Sequence, residues 1–153
     1  MLMADPAAAL AETRRVLKDG GCLAFAVWAA PEKNPWASIP GIALVQRGHL
    51  SAPEPGAPGI FSMADPDRIR ALVTGAGFGE PKIEQVDVSW PLSSADDHWR
   101  LMVMKLAAPL AETIGRLDED ERKEIRSEVR SGIEPAIEEH GSIPGVTHVV
   151  TTS

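Results

Sequence analysis

The side chains able to do nucleophilic, acid–base or ligating chemistry are few and scattered. The four histidines, His49, His98, His140 and His148, stand far apart. They show no metal-ligand spacing, so structural or surface positions account for them better than a metal site. No nucleophile elbow is present to support Ser-His-Asp chemistry. Asp96-Asp97 and Asp118-Glu119-Asp120-Glu121 resemble paired carboxylates. Each opens an apolar-periodic run, where negative charge meets the positive end of a helix, and capping explains both. Glu119 to Arg130 alternates in sign, the pattern of a solvated helix face whose exposed pairs contribute little. Gly75-Ala76-Gly77 follows a helical run rather than a strand. It reads as a helix stop, not as a turn that cradles a phosphate. The single cysteine, Cys22, excludes an internal disulfide. Lying in an apolar run, it is expected to be a buried, reduced thiol in a reducing compartment.

Asp5-Pro6 starts the first element, because Asp caps free N–H groups and Pro fits the first helical position. That helix is expected to run to about Lys18, with Leu10, Val16 and Leu17 on its apolar face. Arg14, Arg15 and Lys18 favour its negative end. Gly20-Gly21 stops it, and Cys22 to Trp28 follows as a continuous apolar run, the pattern of a strand covered on both faces. Ala29 to Met63 is irregular. A short helix is expected from Trp36 to His49, shortened or kinked by Pro40. A mobile Pro/Gly-rich loop is expected from Ser51 to Gly59. Asp65-Pro66 repeats the helix start, with Ile69, Leu72, Val73 and Ala76 on one face.

Lys82 to Trp90 reads as a strand. Val86, Val88 and Trp90 alternate with Asp87 and Ser89, while Ile83 is out of phase and points to a bulge near Glu84-Gln85. Ser94 with Asp97 resembles a capping box. Trp99, Met102, Val103, Leu106 and Leu110 then recur at helical spacing, interrupted by Pro109. Asp118 with Glu121 opens a longer helix in which Ile125, Val129, Ile133 and Ile137 recur every four residues, and Gly132 and Pro135 weaken its end. Val146 to Thr152 is a β-branched C-terminal strand.

The pattern implies an α/β fold of about three strands, one plus an antiparallel pair, with four to six helices. The 153 residues suit a single domain with a real core: 1–92 as sheet and helices, 93–141 as a helical insertion, 142–153 as the final strand. Hydrophobic residues make up 44% and charged residues 24%, ordinary for a soluble globular protein. The net charge of −7 argues against a general nucleic-acid or anionic-membrane surface. No basic segment followed by an apolar run suggests a signal peptide, and no apolar stretch nears the ~18 residues of a membrane span. A cytoplasmic location is expected.

The segment order resembles the C-terminal half of class I S-adenosylmethionine-dependent methyltransferases of the small-molecule type. The resemblance rests first on Asp5-Pro6, Arg14-Arg15-Val16-Leu17-Lys18-Asp19-Gly20-Gly21 and the strand end at Trp28. It continues through Asn34-Pro35-Trp36, Asp65-Pro66-Asp67-Arg68-Ile69 and Ala76-Gly77-Phe78. The family's usual R-x-L-K-P-G-G carries Asp19 here in place of proline. The resemblance implies a partial Rossmann-like methyltransferase fold. Cys22–Trp28 is then the fifth strand, and Lys82–Trp90 with Val146–Thr152 the antiparallel pair closing that side of the sheet. Ser93 to His140 becomes a family-variable insertion.

The family holds S-adenosylmethionine at the carboxyl ends of its first strands, through a glycine-rich turn and an acidic residue. Those strands are not represented, so the resemblance implies that the chain opens inside the fold, with Met1 expected to be an internal methionine of a longer frame. The resemblance therefore assigns this chain no cofactor-binding residue and no catalytic residue. It implies S-adenosylmethionine only if the missing half is supplied. Trp28, Trp36, Phe61, Trp99 and Met102 are the candidates for an acceptor pocket, because aromatic and Met side chains suit a flat apolar ligand. Helix core is the favoured reading for Trp99 and Met102; for Trp28 and Trp36, pocket and packing are even. The unpaired edge of Cys22–Trp28 and a partly bare sheet face imply a homodimer. The alternative is a stand-alone module that binds a small apolar ligand or dimerises.

Overall fold

The computed structural model describes residues 1–54 and 57–153; Pro55 and Gly56, inside the loop expected over Ser51–Gly59, lie outside the described residues. The elements run α1 (Pro6–Val16), β1 (Leu23–Trp28), a single 3-10 turn (Pro31–Lys33), α2 (Pro35–Gln46) and α3 (Pro66–Gly75). After these come β2 (Lys82–Trp90), α4 (Ala95–His98), a π-helix (Trp99–Leu106), α5 (Ala108–Gly115), α6 (Glu119–His140) and β3 (Ile143–Thr152). The fold is therefore mixed α/β, with six α-helices and three strands among the described residues. No described helix is long and apolar enough to cross a membrane.

The chain divides into two compact units. The first holds Met1–Ala30, Pro53–Asp87 and Val146–Ser153; the second holds Pro31–Ala52 and Val88–Gly145.

The first unit contains most of the sheet, whose strand order is β1-β3-β2. β1 runs antiparallel to β3, in register from Leu23 opposite Thr152 to Trp28 opposite Thr147. Both helices start as the Asp-Pro pairs dictate. The Asp5 carboxylate accepts the Ala8 N–H at 2.9 Å, and that of Asp65 accepts the Asp67 N–H at 2.9 Å. Val27, Met63, Ile69, Val73, Phe78 and Val150 form the core, joined by Leu10, Leu17, Phe25 and Ile83.

Four expectations change here. β1 is covered on one side only: Leu23, Phe25 and Val27 face the core while Ala24 and Ala26 are exposed. A run of apolar residues conceals this alternation because alanine is apolar whichever way it points; the large/small alternation was the readable sign. Cys22 is accordingly exposed rather than buried. Val16 is 61% exposed, since Leu10 and Leu17, seven residues apart, set the inward stripe of α1 and Val16 lies about 100° off it. In β2, Ile83 joins the first core and Val86 is 44% exposed, while Val88 and Trp90 are half-buried between exposed Asp87 and Ser89, as the alternation suggested.

The second unit is helical. α2 packs along α6, and Ala43, Leu44, Ile125, Val129 and Ile133 are buried in a core with Trp99, Met102 and Val103. Asp118 caps α6 by accepting the Glu121 N–H at 2.8 Å, as its sequence position requires. The helix then continues through Gly132 and Pro135 to His140. Gly132 does not weaken an end: a Cβ there would lie 3.0 Å from the Ile39 side chain, so its missing side chain is what lets α2 approach.

α4 begins as a capping box, with the Ser94 hydroxyl accepting the Asp97 N–H at 3.0 Å. From Trp99 the chain widens into a π-helix instead of continuing as an α-helix. Trp99, Met102 and Val103 still face the core, so their spacing alone did not betray the change of pitch.

Candidate functional site

In the first unit, described residues from 53–54 and 57–68 line a partly open hollow of about 700 Å³. Its apolar wall includes Pro58, Ile60 and Phe61, and its charged groups are Glu54, Asp65 and Arg68. This volume lies within the usual range for small-ligand sites. The wall is anchored locally. The Ser62 hydroxyl donates to the Met1 carbonyl at 2.8 Å, and the Ala64 carbonyl accepts from His148 Nε2 at 3.0 Å. The Asp65 carboxylate is engaged as the α3 cap. The lining contains no histidine or cysteine, and its one described hydroxyl, on Ser62, is committed to Met1. The hollow has room for a small molecule and offers no nucleophile–base pair among the described residues.

Of the five sequence-derived pocket candidates, Phe61 lines this cavity. Trp28 is half-buried at the end of β1 in the same unit. The other three lie in the second unit, where Trp99 and Met102 are buried core residues. Trp36 packs against Trp90 with ring centroids 5.1 Å apart and donates its indole N–H to Asn34 Oδ1 at 3.1 Å. Gly145 fits against this pair only because it has no side chain; a Cβ would come within 2.9 Å of Asn34 Oδ1 and 3.1 Å of Trp36 Nε1.

Pro40 and His98 carry a role that the sequence reading missed. Pro40 is buried inside α2 and has no N–H, so it cannot satisfy the carbonyl of residue 36, one helical turn back. His98 Nε2 lies 2.7 Å from that Trp36 carbonyl oxygen and donates to it, which fixes the tautomer. His98 is fully buried, its Nδ1 has no hydrogen-bond partner among the described groups, and burial pushes its pKa below the ordinary value. A proline inside a helix was the available signal, because the carbonyl one turn back loses its helical donor and calls for another.

His148 is likewise buried, with its bond to Ala64 as noted. His49 approaches Glu121 at 3.7 Å, and His140 is half-exposed beside Glu139. Among the described residues, no group of three or more His, Cys, Asp or Glu side chains is arranged to hold a metal ion.

The residues Gly75-Ala76-Gly77-Phe78-Gly79 satisfy the literal G-x-G-x-G spacing. Their amides are already used. Gly77, at φ +87°, closes α3: its N–H donates to Thr74 O at 3.0 Å and the Phe78 N–H to Val73 O at 3.3 Å. This is the paired closure of a helix C-terminus, completed by the packing of Phe78 with Val73. The Ala76 N–H donates back to Leu72 O and that of Gly79 to Ser153 O. No N–H from 76 to 79 remains to receive a phosphate.

No protein-family model and no curated protein sequence matches the chain.

Proposed function

We propose that this chain is the acceptor-side portion of a methyltransferase-like protein, and that the isolated chain does not itself transfer methyl groups. The observation that carries the reading is the strand order β1-β3-β2, with the last strand antiparallel to β1 and beside β2. The resemblance calls for a closing pair beside a fifth strand, and this arrangement is compatible with that. It is supported by α1 and α3 packing together, with side chains of both in the core that β1 faces. The 700 Å³ cavity around Phe61 is the acceptor pocket in this reading, suited to a small, largely apolar molecule. S-adenosylmethionine would be held by the missing half, and no residue here is assigned as catalytic. Reading the coding DNA ahead of Met1 tests the idea: a strand followed by a glycine-rich turn in the same frame is expected, and an unrelated upstream frame would count against it.

A second reading is favoured by one specific observation. β1 is a sheet edge about 20 Å long, carries no charged side chain, and exposes Ala24 and Ala26. Such an edge lacks the charges that discourage strand pairing. We propose that two copies pair through it, as a dimerisation or ligand-binding module would. Sedimentation at low micromolar concentration should show a dimer; a monomer removes this reading.

A further inference from the structure

The second unit carries a smaller hollow of about 330 Å³, between Pro91–Ser93 and the helical segment that follows. Pro91, Leu92 and Leu101 form its apolar wall, and Ser93, Asp97, Arg100 and Lys105 its polar side. We propose that this hollow binds a small amphiphilic anion, with its acidic head between Arg100 and Lys105 and its apolar body against Leu92 and Leu101. The proposal is independent of the methyltransferase reading.

The π-helix is what assembles the site. In an α-helix, residues five apart diverge by about 140° around the axis, so Arg100 and Lys105 would point to different sides. A π-helix closes i→i+5 bonds with about 4.4 residues per turn, which reduces that divergence to about 50°. The Ala107 N–H donates to the Met102 carbonyl at 3.1 Å, the i→i+5 bond that ends this segment. Both cations therefore line one wall together with Leu101, while Trp99, Met102 and Val103 remain buried on the other side. π-Helical turns cost hydrogen-bond geometry and tend to occur where function needs them.

The charge balance selects an anion. Asp97 is the one carboxylate in the lining, and both its oxygens are engaged: Oδ2 accepts the Ser93 hydroxyl at 2.6 Å and Oδ1 accepts from Arg100. The Ser93 and Ser94 bonds, with the Arg100 charge, hold its carboxyl below the usual value, so the group stays ionised and neutralises Arg100. Lys105 makes no ion pair among the described residues. The nearby Asp96 is paired with Arg126, and Glu112 with Arg116. One positive charge is thus left over at an apolar hollow, on a chain whose net charge is −7.

The test is a titration of the full chain with octanoate, with 1-octanol as the uncharged control, read by backbone amide chemical shifts. Octanoate is expected to give saturable shifts confined to residues 91–105, and 1-octanol to bind roughly tenfold more weakly. Lys105→Gln should weaken octanoate roughly fivefold, the loss of one exposed ionic contact, and Arg100→Gln by a similar factor, because Asp97 is then left unneutralised beside the head group. Both side chains are exposed, so these variants should keep the parent's far-ultraviolet spectrum. The proposal fails if octanoate gives no saturable shifts, if 1-octanol binds equally well, or if both variants bind octanoate like the parent.

Discussion

If His98 is buried because Pro40 orphans the Trp36 carbonyl, changing one residue must alter the cost of changing the other. His98→Leu keeps an apolar side chain of similar size in the core but removes the donor 2.7 Å from Trp36 O. Losing a donor to a buried carbonyl costs about 1–3 kcal/mol. For a chain of this size that corresponds to a fall in melting temperature of about 2–4 °C per kcal/mol. Pro40→Ala places a backbone N–H at residue 40, where it can reach the same carbonyl through an ordinary helical bond. In the Pro40→Ala background, His98→Leu should therefore cost about 1–2 kcal/mol less than it does in the parent. Urea unfolding of the four proteins, followed by tryptophan fluorescence, measures the difference; Trp36, Trp90 and Trp99 all lie in the unit concerned. Additivity within about 0.5 kcal/mol would falsify the linkage.

The same imidazole gives a pH dependence. Burial holds the folded-state pKa of His98 below the ordinary 6.5, with the Trp36 carbonyl opposing in part. The unfolded chain therefore takes up the proton first as pH falls. The stability linked to neutral His98 is complete above 6.5 and is lost as pH drops from there toward the lower folded-state value. The parent's urea midpoint should fall more than that of His98→Leu between about pH 7.5 and 5.5; equal slopes would contradict this assignment. Gly145→Ala should destabilise the second unit by about 1–3 kcal/mol, because the added methyl intrudes on the Asn34–Trp36 bond. An unchanged or raised urea midpoint would count against that packing. Cys22 should react with a thiol reagent in the native protein nearly as fast as after unfolding; protection until denaturation would show that the strand end is covered.

Local chemistry made much of the fold legible. The Asp-Pro pairs located both helix starts in the first unit, and β2 occupies the span its alternation suggested. The four-residue recurrence of Ile125, Val129 and Ile133 marked the buried stripe of α6. What stayed hidden depends on partners distant in sequence. Whether Cys22 and Ala24 are covered depends on which helices reach that face of the sheet. The pitch of the segment after His98 was ambiguous, since Trp99, Met102 and Val103 satisfy either helical period. Gly132 looked like a helix breaker until Ile39 was found beside it. At the candidate sites, Phe61 was legible as an aromatic in an irregular segment. The joining of Arg100 and Lys105 on one wall was not, because in the α-helical reading they diverge.

The decisive question is whether these residues can hold the methyl donor. Titration calorimetry of the full chain with S-adenosylmethionine addresses this most directly. No saturable heat is expected, since the amides of residues 76–79 are already bonded within the chain. Saturable binding in the micromolar range, accompanied by methylation of any small acceptor, would contradict it.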